Sequence, residues 1–195
     1  MRTRPRSARG ARIRGMTASW TEREKQFKAA YDAVERRCED GYGVPVKIGD
    51  CKDPFTGDFN GQEIQLDHSL DLDMALFVLG HLFGHTAQWV TDDGLRDLGM
   101  RYASSAPPEV DKAKVRAYEA DASRLALSLF HEAGVHELDG WLSDWAAADW
   151  AYLDHFYRTG TRGQPRSFYR PDVPRLTPLA IPRFTPKRFE SRQAF

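Results

Sequence analysis

Two histidines four residues apart, His81 and His85, stand inside the apolar run L-G-H-L-F-G-H-T-A-Q-W of residues 79–89. On a helix, positions i and i+4 share one face about one turn apart. Two imidazoles so placed can bind one metal ion from the same side. Metal-binding helices that read H-E-x-x-H have this spacing and use the glutamate as a general base. Here that position is Leu82, so the frame of a metal site is present and the base is missing.

A third donor is offered by a second segment. Residues 116–130 read R-A-Y-E-A-D-A-S-R-L-A-L-S-L-F, with Glu119 among the small residues Ala120, Ala122 and Ser123. Small neighbours let another helix or a metal approach closely. Glu119 is then either a solvated helix charge or the third ligand of a two-His, one-carboxylate set, which suits zinc and non-haem iron(II) alike. The alternative for His81 and His85 is a pair of core imidazoles bonded to backbone carbonyls, since unpaired buried polar groups cost about 1–3 kcal/mol each. Leu82 reads as a pocket wall, and Tyr118, Gln88 and His131 are the candidate catalytic residues. Asp121 and Glu132 are further carboxylates nearby. His68 reads as a turn or surface histidine able to point towards the site, and His136 and His155 as structural or exposed.

The elements that must position these groups follow from periodicity. Thr21 and Glu24 have capping-box spacing. Phe27, Ala30, Tyr31, Val34 and Cys38 form the stripe of a first helix that ends at Asp40-Gly41. Val44, Val46 and Ile48, then Ile64 and Leu66, alternate as short strands. Turn formers lie between them (Asp53-Pro54, Thr56-Gly57, Asn60-Gly61), so a small antiparallel sheet is expected. A second helix over 72–90, with Asp71 as N-cap, is apolar on most sides and carries both histidines. Residues 91–108 read as a polar loop with a short turn of helix around Leu95 and Leu98. Pro107-Pro108 introduces a third helix that ends before Gly134, and a fourth spans 141–158, closed by Gly160. Its Trp141, Trp145, Trp150 and Tyr152 read as core before substrate box.

The order of strand, buried H-x-x-x-H helix and a later helix reading E-x-x-A-x-x-x-A-x-x-L resembles the ImmA/IrrE family of zincin-like metallopeptidases over residues 44–130. The resemblance makes His81 and His85 the histidine ligands and Glu119 the carboxylate ligand. Gly84 matches the glycine before the second histidine. Ala122, Ser123, Leu125, Ala126 and Leu129 occupy the positions that follow the carboxylate. Leu82 replaces the family's catalytic glutamate, and Ser123 its Asn or Asp. The implied fold is α+β and zincin-like, with a small antiparallel sheet on a helical core, H-x-x-x-H on one helix and the Glu ligand on the next.

Composition bounds the rest. The chain has 195 residues with 28 basic and 28 acidic side chains, so no net field selects nucleic acid or an anionic membrane. Its two cysteines, Cys38 and Cys51, give no disulfide framework and fit a reducing cytoplasm. No apolar run reaches the roughly 20 residues that span a bilayer, and no apolar signal-peptide core is seen. Residues 1–16 carry six arginines and read as a disordered basic arm, with a nucleic-acid-binding arm or a true start at Met16 as alternatives. Residues 17–160 form the metal-binding domain. Residues 161–195, with six prolines, form an extended arm over the domain or over a second copy, anchored by Phe184 and Phe189. The expected protein is a metal-dependent enzyme with one divalent ion, zinc or iron(II), acting on a small aromatic or apolar molecule. Oxygenase, lyase and hydrolase chemistry all stay open. The alternatives are a pseudo-enzyme acting as a binding or regulatory module, and a peptidase that takes its base from elsewhere.

Overall fold

The computed structural model describes residues 20–51, 55–102 and 105–190. The basic arm, the alternative start at Met16 and the Asp53-Pro54 turn lie outside the described residues. The architecture is α+β: five α-helices and one three-stranded sheet among the described residues.

Helix α1 (Glu22–Arg36) starts with the expected capping box. Thr21 Oγ1 accepts from Glu24 N at 3.2 Å, and the Glu24 carboxylate accepts from Thr21 N at 2.7 Å. The stripe of Phe27, Ala30, Tyr31 and Val34 is buried, and a wider π-helical turn (Arg37–Gly41) carries Cys38 inwards. The strands are β1 (Val46–Gly49), β2 (Gly57–Phe59) and β3 (Ile64–Asp67), in the order β1-β3-β2.

The sheet is mixed, not antiparallel. β3 pairs with β1 in parallel and with β2 in antiparallel register. Alternation marks a strand but says nothing of its direction. The chain reverses between β1 and β2 and again between β2 and β3, and β3 takes the middle. Central β3 buries Ile64 and Leu66 completely, whereas Ile48 on edge strand β1 is 51% exposed. The Asn-Gly pair does make the β2–β3 hairpin: Asn60 Oδ1 accepts from Gln62 N and Glu63 N, and Gly61 sits at φ +80°.

Helix α2 (Leu72–Thr91) is the axis of the molecule, with every residue from Ala75 to Trp89 buried. Burial on all sides follows from its apolar circumference; α1, α3, α4, β2 and β3 pack around it. Asp71 holds the N-cap position, but its carboxylate makes no cap bond and instead accepts from Arg166 at 3.0 Å. The expected polar loop contains a ten-residue helix, α3 (Asp93–Tyr102), so Glu119 lies on the next helix but one after α2. Helix α4 (Glu109–Glu132) is followed by Gly134 at φ +79°, and α5 (Asp139–Thr159) by Gly160 at φ +69°. Both positive angles favour glycine, the usual end of a helix.

Beyond a short 3-10 turn (Pro165–Phe168), the described part of the tail, to residue 190, has no regular structure and lies along its own chain. It bonds to α4, where Leu179 N donates to Arg124 O at 3.2 Å and Ser128 Oγ to Leu179 O at 2.6 Å. It then reaches the hairpin, where Lys187 N donates to Gly61 O and Phe189 N to Asn60 O. Phe184 stacks on Tyr42 at 5.6 Å, and Phe189 lies edge-on to Trp89 at 6.5 Å. No described helix is long and apolar enough to cross a membrane.

Candidate metal centre

The site is made where α2 crosses α4, and glycine sets how close they come. A Cβ at Gly84 would lie 2.1 Å from Ala122 O, and one at Gly80 would lie 2.9 Å from the Phe130 ring and 3.2 Å from Ala126 Cβ. Gly80/Gly84 on α2 and Ala122/Ala126 on α4 are both i, i+4 pairs, so small residues face small residues along the contact. The backbones can then approach until side chains from both helices meet at one point.

Three ligand-type atoms converge there. His81 Nε2 and His85 Nε2 are 2.9 Å apart, and each is 3.1 Å from Glu119 Oε2. Bonds of 2.0–2.1 Å to one tetrahedral ion would space such atoms about 3.3 Å apart, so the observed triangle is close to a metal-binding one. His81 is fully buried and His85 is 5% exposed. This group can hold a metal ion.

The outer nitrogens decide which way the lone pairs point. Gln88 Nε2 donates to Tyr118 O at 2.9 Å, and a carbonyl can only accept, so the amide oxygen must face His85. That oxygen lies 2.9 Å from His85 Nδ1, which therefore carries a proton and turns Nε2 to the cluster. Ser123 Oγ, 3.1 Å from His81 Nδ1, permits the same tautomer there. The two inner nitrogens and a carboxylate oxygen, facing one another in a buried site, need a proton or a cation among them. The rings are also fixed by stacking. Tyr118 lies 4.5 Å from His85, Phe59 lies 5.8 Å from it, and Phe77 lies 5.7 Å from His81.

Charge follows the geometry. Burial pushes the Glu119 carboxyl up, but the charge of His85 and hydrogen bonds from both imidazoles outweigh it and hold it at about 2. Asp149 enters from α5, with Oδ2 3.8 Å from His81 Nε2. Burial pushes its carboxyl up to about 7, with His81 opposing and Glu119 adding to the rise. Burial also raises the phenol of Tyr157, and the charges of Glu119 and Asp149 raise it further.

His85, Glu119 and Asp149 open onto a cavity of about 190 Å³ between α2, α4 and α5. Its walls are mostly apolar, among them Phe59, Phe77, Leu82, Trp145 and Tyr152. Exposed Arg162 also lines it, with its guanidinium 5.0 Å from the Phe55 ring and 5.4 Å from that of Phe156.

The structure brings together most of the residues singled out in the sequence. Leu82 lines the cavity, Gln88 orients His85, and Tyr118 stacks on His85 while its hydroxyl accepts from Trp89 Nε1 at 2.8 Å. His131 is not at the site. It lies twelve residues along α4 from Glu119, about 18 Å at 1.5 Å per residue, and pairs with Asp139 at 2.9 Å. His68 is on the surface beside Asp50. Asp121 pairs with Arg124, and Glu132 with Arg37 and Tyr42. The group that sequence reasoning missed is Asp149. Its setting, A-A-A-D-W, repeats the small-residue surroundings of Glu119 and was the available signal. Of Trp141, Trp145 and Tyr152, the last two face the cavity, whereas Trp141 packs against Phe27 and Phe130. No protein-family model matches the chain, and neither does any curated protein or solved structure.

Proposed function

We propose that the chain is a mononuclear metalloenzyme that acts on a small aromatic or apolar molecule held in the cavity beside His85 and Glu119. The observation that carries this reading is the orientation of His85. Gln88 accepts the Nδ1 hydrogen bond and turns Nε2 towards His81 and Glu119, where a bound cation can replace the protons that otherwise lie among the three atoms. Two imidazoles and one carboxylate suit zinc or iron(II) and leave positions for substrate.

Size and lining support the substrate class. An apolar cavity of about 150 Å³ is enough to take up benzene, and this one, at about 190 Å³, has aromatic walls. Leu82 stands where a protease of this spacing has its base and puts hydrocarbon against the site. The chain's own residues hold the substrate between aromatic rings, keep bulk water from the buried side and fix both imidazoles. The ion, when bound, supplies Lewis acidity to a substrate oxygen and, if it is iron, redox chemistry. In fold we read the α2–α4 pair as zincin-like and akin to the ImmA/IrrE family, with the protease function set aside. That reading rests on the H-x-x-x-H helix and the Glu119 helix.

The test is to purify the protein anaerobically, measure its metal content, and titrate single-ring aromatic compounds while following tryptophan fluorescence. One exchangeable ion per chain, with compounds that bind only to the loaded protein, supports the enzyme. A metal-free protein of equal stability that takes up no added zinc or iron would leave the pseudo-enzyme module. Casein cleavage abolished by Glu119→Ala would restore a peptidase.

A further inference from the structure

Beside the three donor atoms stands a fourth group whose charged partner is too distant for a hydrogen bond. Asp149 projects from α5 with a side chain only 8% exposed, and its ion-pair partner among the described residues is His81 at 3.8 Å. That distance is too long for a hydrogen bond. Other carboxylates of these helices are satisfied. Asp121 has Arg124, Asp144 accepts from Val173 N and Tyr169 Oη, and Asp154 accepts from Arg158. Ala146, Ala147 and Ala148 precede Asp149, and Trp150 follows it, so its neighbours in sequence supply no cation. A carboxylate that lines the cavity without a protein donor takes its hydrogen bond from what occupies the cavity.

Resting on the metal reading above, we propose that Asp149 accepts a hydrogen bond from the oxygen ligand, water or a substrate hydroxyl, that fills the open position of the ion. It serves from α5 the place that a glutamate at position 82 would serve from within α2. It is not itself one of the inner ligands. The donor atoms of His81, His85 and Glu119 all lie within 4.8 Å of one another, and Asp149 stands outside that set. The position fits the cavity, because Asp149 lines it together with Glu119 and Tyr157. A molecule entering between the aromatic walls meets the ion and this carboxylate together.

Cobalt(II) is the probe, loaded into the full chain and read by stoichiometry, visible spectrum and azide titration. Asp149→Asn should keep one cobalt per chain, as wild type does, yet shift the visible bands. It should also bind azide about tenfold more tightly, because the Asp149 carboxylate no longer repels the anion. His85→Ala should lose the cobalt. If Asp149→Asn also loses it, Asp149 is an inner ligand and the proposal falls. If its spectrum and azide affinity match wild type, Asp149 is structural and the proposal falls again. Should circular dichroism show Asp149→Asn unfolded, Asp149→Ser carries the same expectations. A wild type that takes up no cobalt would overturn the metal reading itself, an outcome distinct from the other two.

Discussion

Among the described residues two pairs of histidines stand beside a carboxylate, and one of them is arranged so that it could hold a metal ion. At the corner between α4 and α5, His131 and His136 have ring centroids 4.5 Å apart, and His131 Nε2 lies 2.9 Å from Asp139. At the α2–α4 crossing, His81 and His85 have the same centroid separation, 4.5 Å, and also face a carboxylate. The residue types match; the surroundings do not. The side chains of His131 and Asp139 are 28% and 38% exposed, and the imidazole nitrogen turned to Asp139 is used by that contact. In the crossing, Gln88 and Ser123 occupy the outer nitrogens, and the inner ones converge. Metal capacity is therefore made by what holds the rings from behind, together with the closeness of two helices.

The contrast can be broken most severely at Gly84. Gly84→Ala drives a methyl group into Ala122 O and should force α2 and α4 apart. Overpacking of this kind costs about 1–3 kcal/mol and occasionally more, so the melting temperature should fall by several degrees and metal uptake should vanish. Next is Glu119→Ala, which leaves two buried imidazoles facing each other. Breaking a buried pair costs about 3–5 kcal/mol, less whatever the cavity's water recovers, and urea unfolding of the metal-free protein would measure it. The pH dependence has a definite sign. Glu119 is held at about 2, below its ordinary 4.5, so its contribution is present above about pH 4.5 and fades towards pH 2. Wild-type and Glu119→Ala stabilities should converge on acidification.

Smaller effects sharpen the comparison. Gln88→Ala and Ser123→Ala leave every donor atom in place and remove only what orients the rings. Each should weaken zinc binding about 10–100-fold, the usual cost of losing such support, as read by competition with a chelator. At the corner, His131→Ala should change stability by less than about 1 kcal/mol, as exposed pairs do, and leave metal stoichiometry untouched. A corner variant that lost metal would erase the distinction between the two clusters.

Local signals in the sequence carried far. The Thr21–Glu24 capping box, the ends of α4 and α5 at Gly134 and Gly160, and the Asn60-Gly61 hairpin all depend on neighbouring residues and could be read directly. The i, i+4 spacing of His81 and His85 is local too, whereas Glu119 read equally as a solvated helix charge until the family resemblance singled it out. Strand direction was not legible, since it depends on which strand occupies the middle of the sheet. Helix α3 was hidden by Gly94 and Gly99, which read as loop. Gly99 is there for contact: a Cβ would lie 2.5 Å from Tyr118 Oη and 3.0 Å from Trp89 Nε1. Asp149 was missed because its approach to His81 joins residues 68 positions apart, a distance over which no periodicity speaks.

The irregular tail has a consequence for the timing of synthesis. Residues 177–189 are translated after everything they fasten, namely Arg124 and Ser128 on α4 and the carbonyls of Asn60 and Gly61. The hairpin and the back of α4 therefore leave the ribosome before their partners do, and domains form in the order of translation. A nascent chain stalled near residue 170 would carry a helical core around α2 with its hairpin still unlatched.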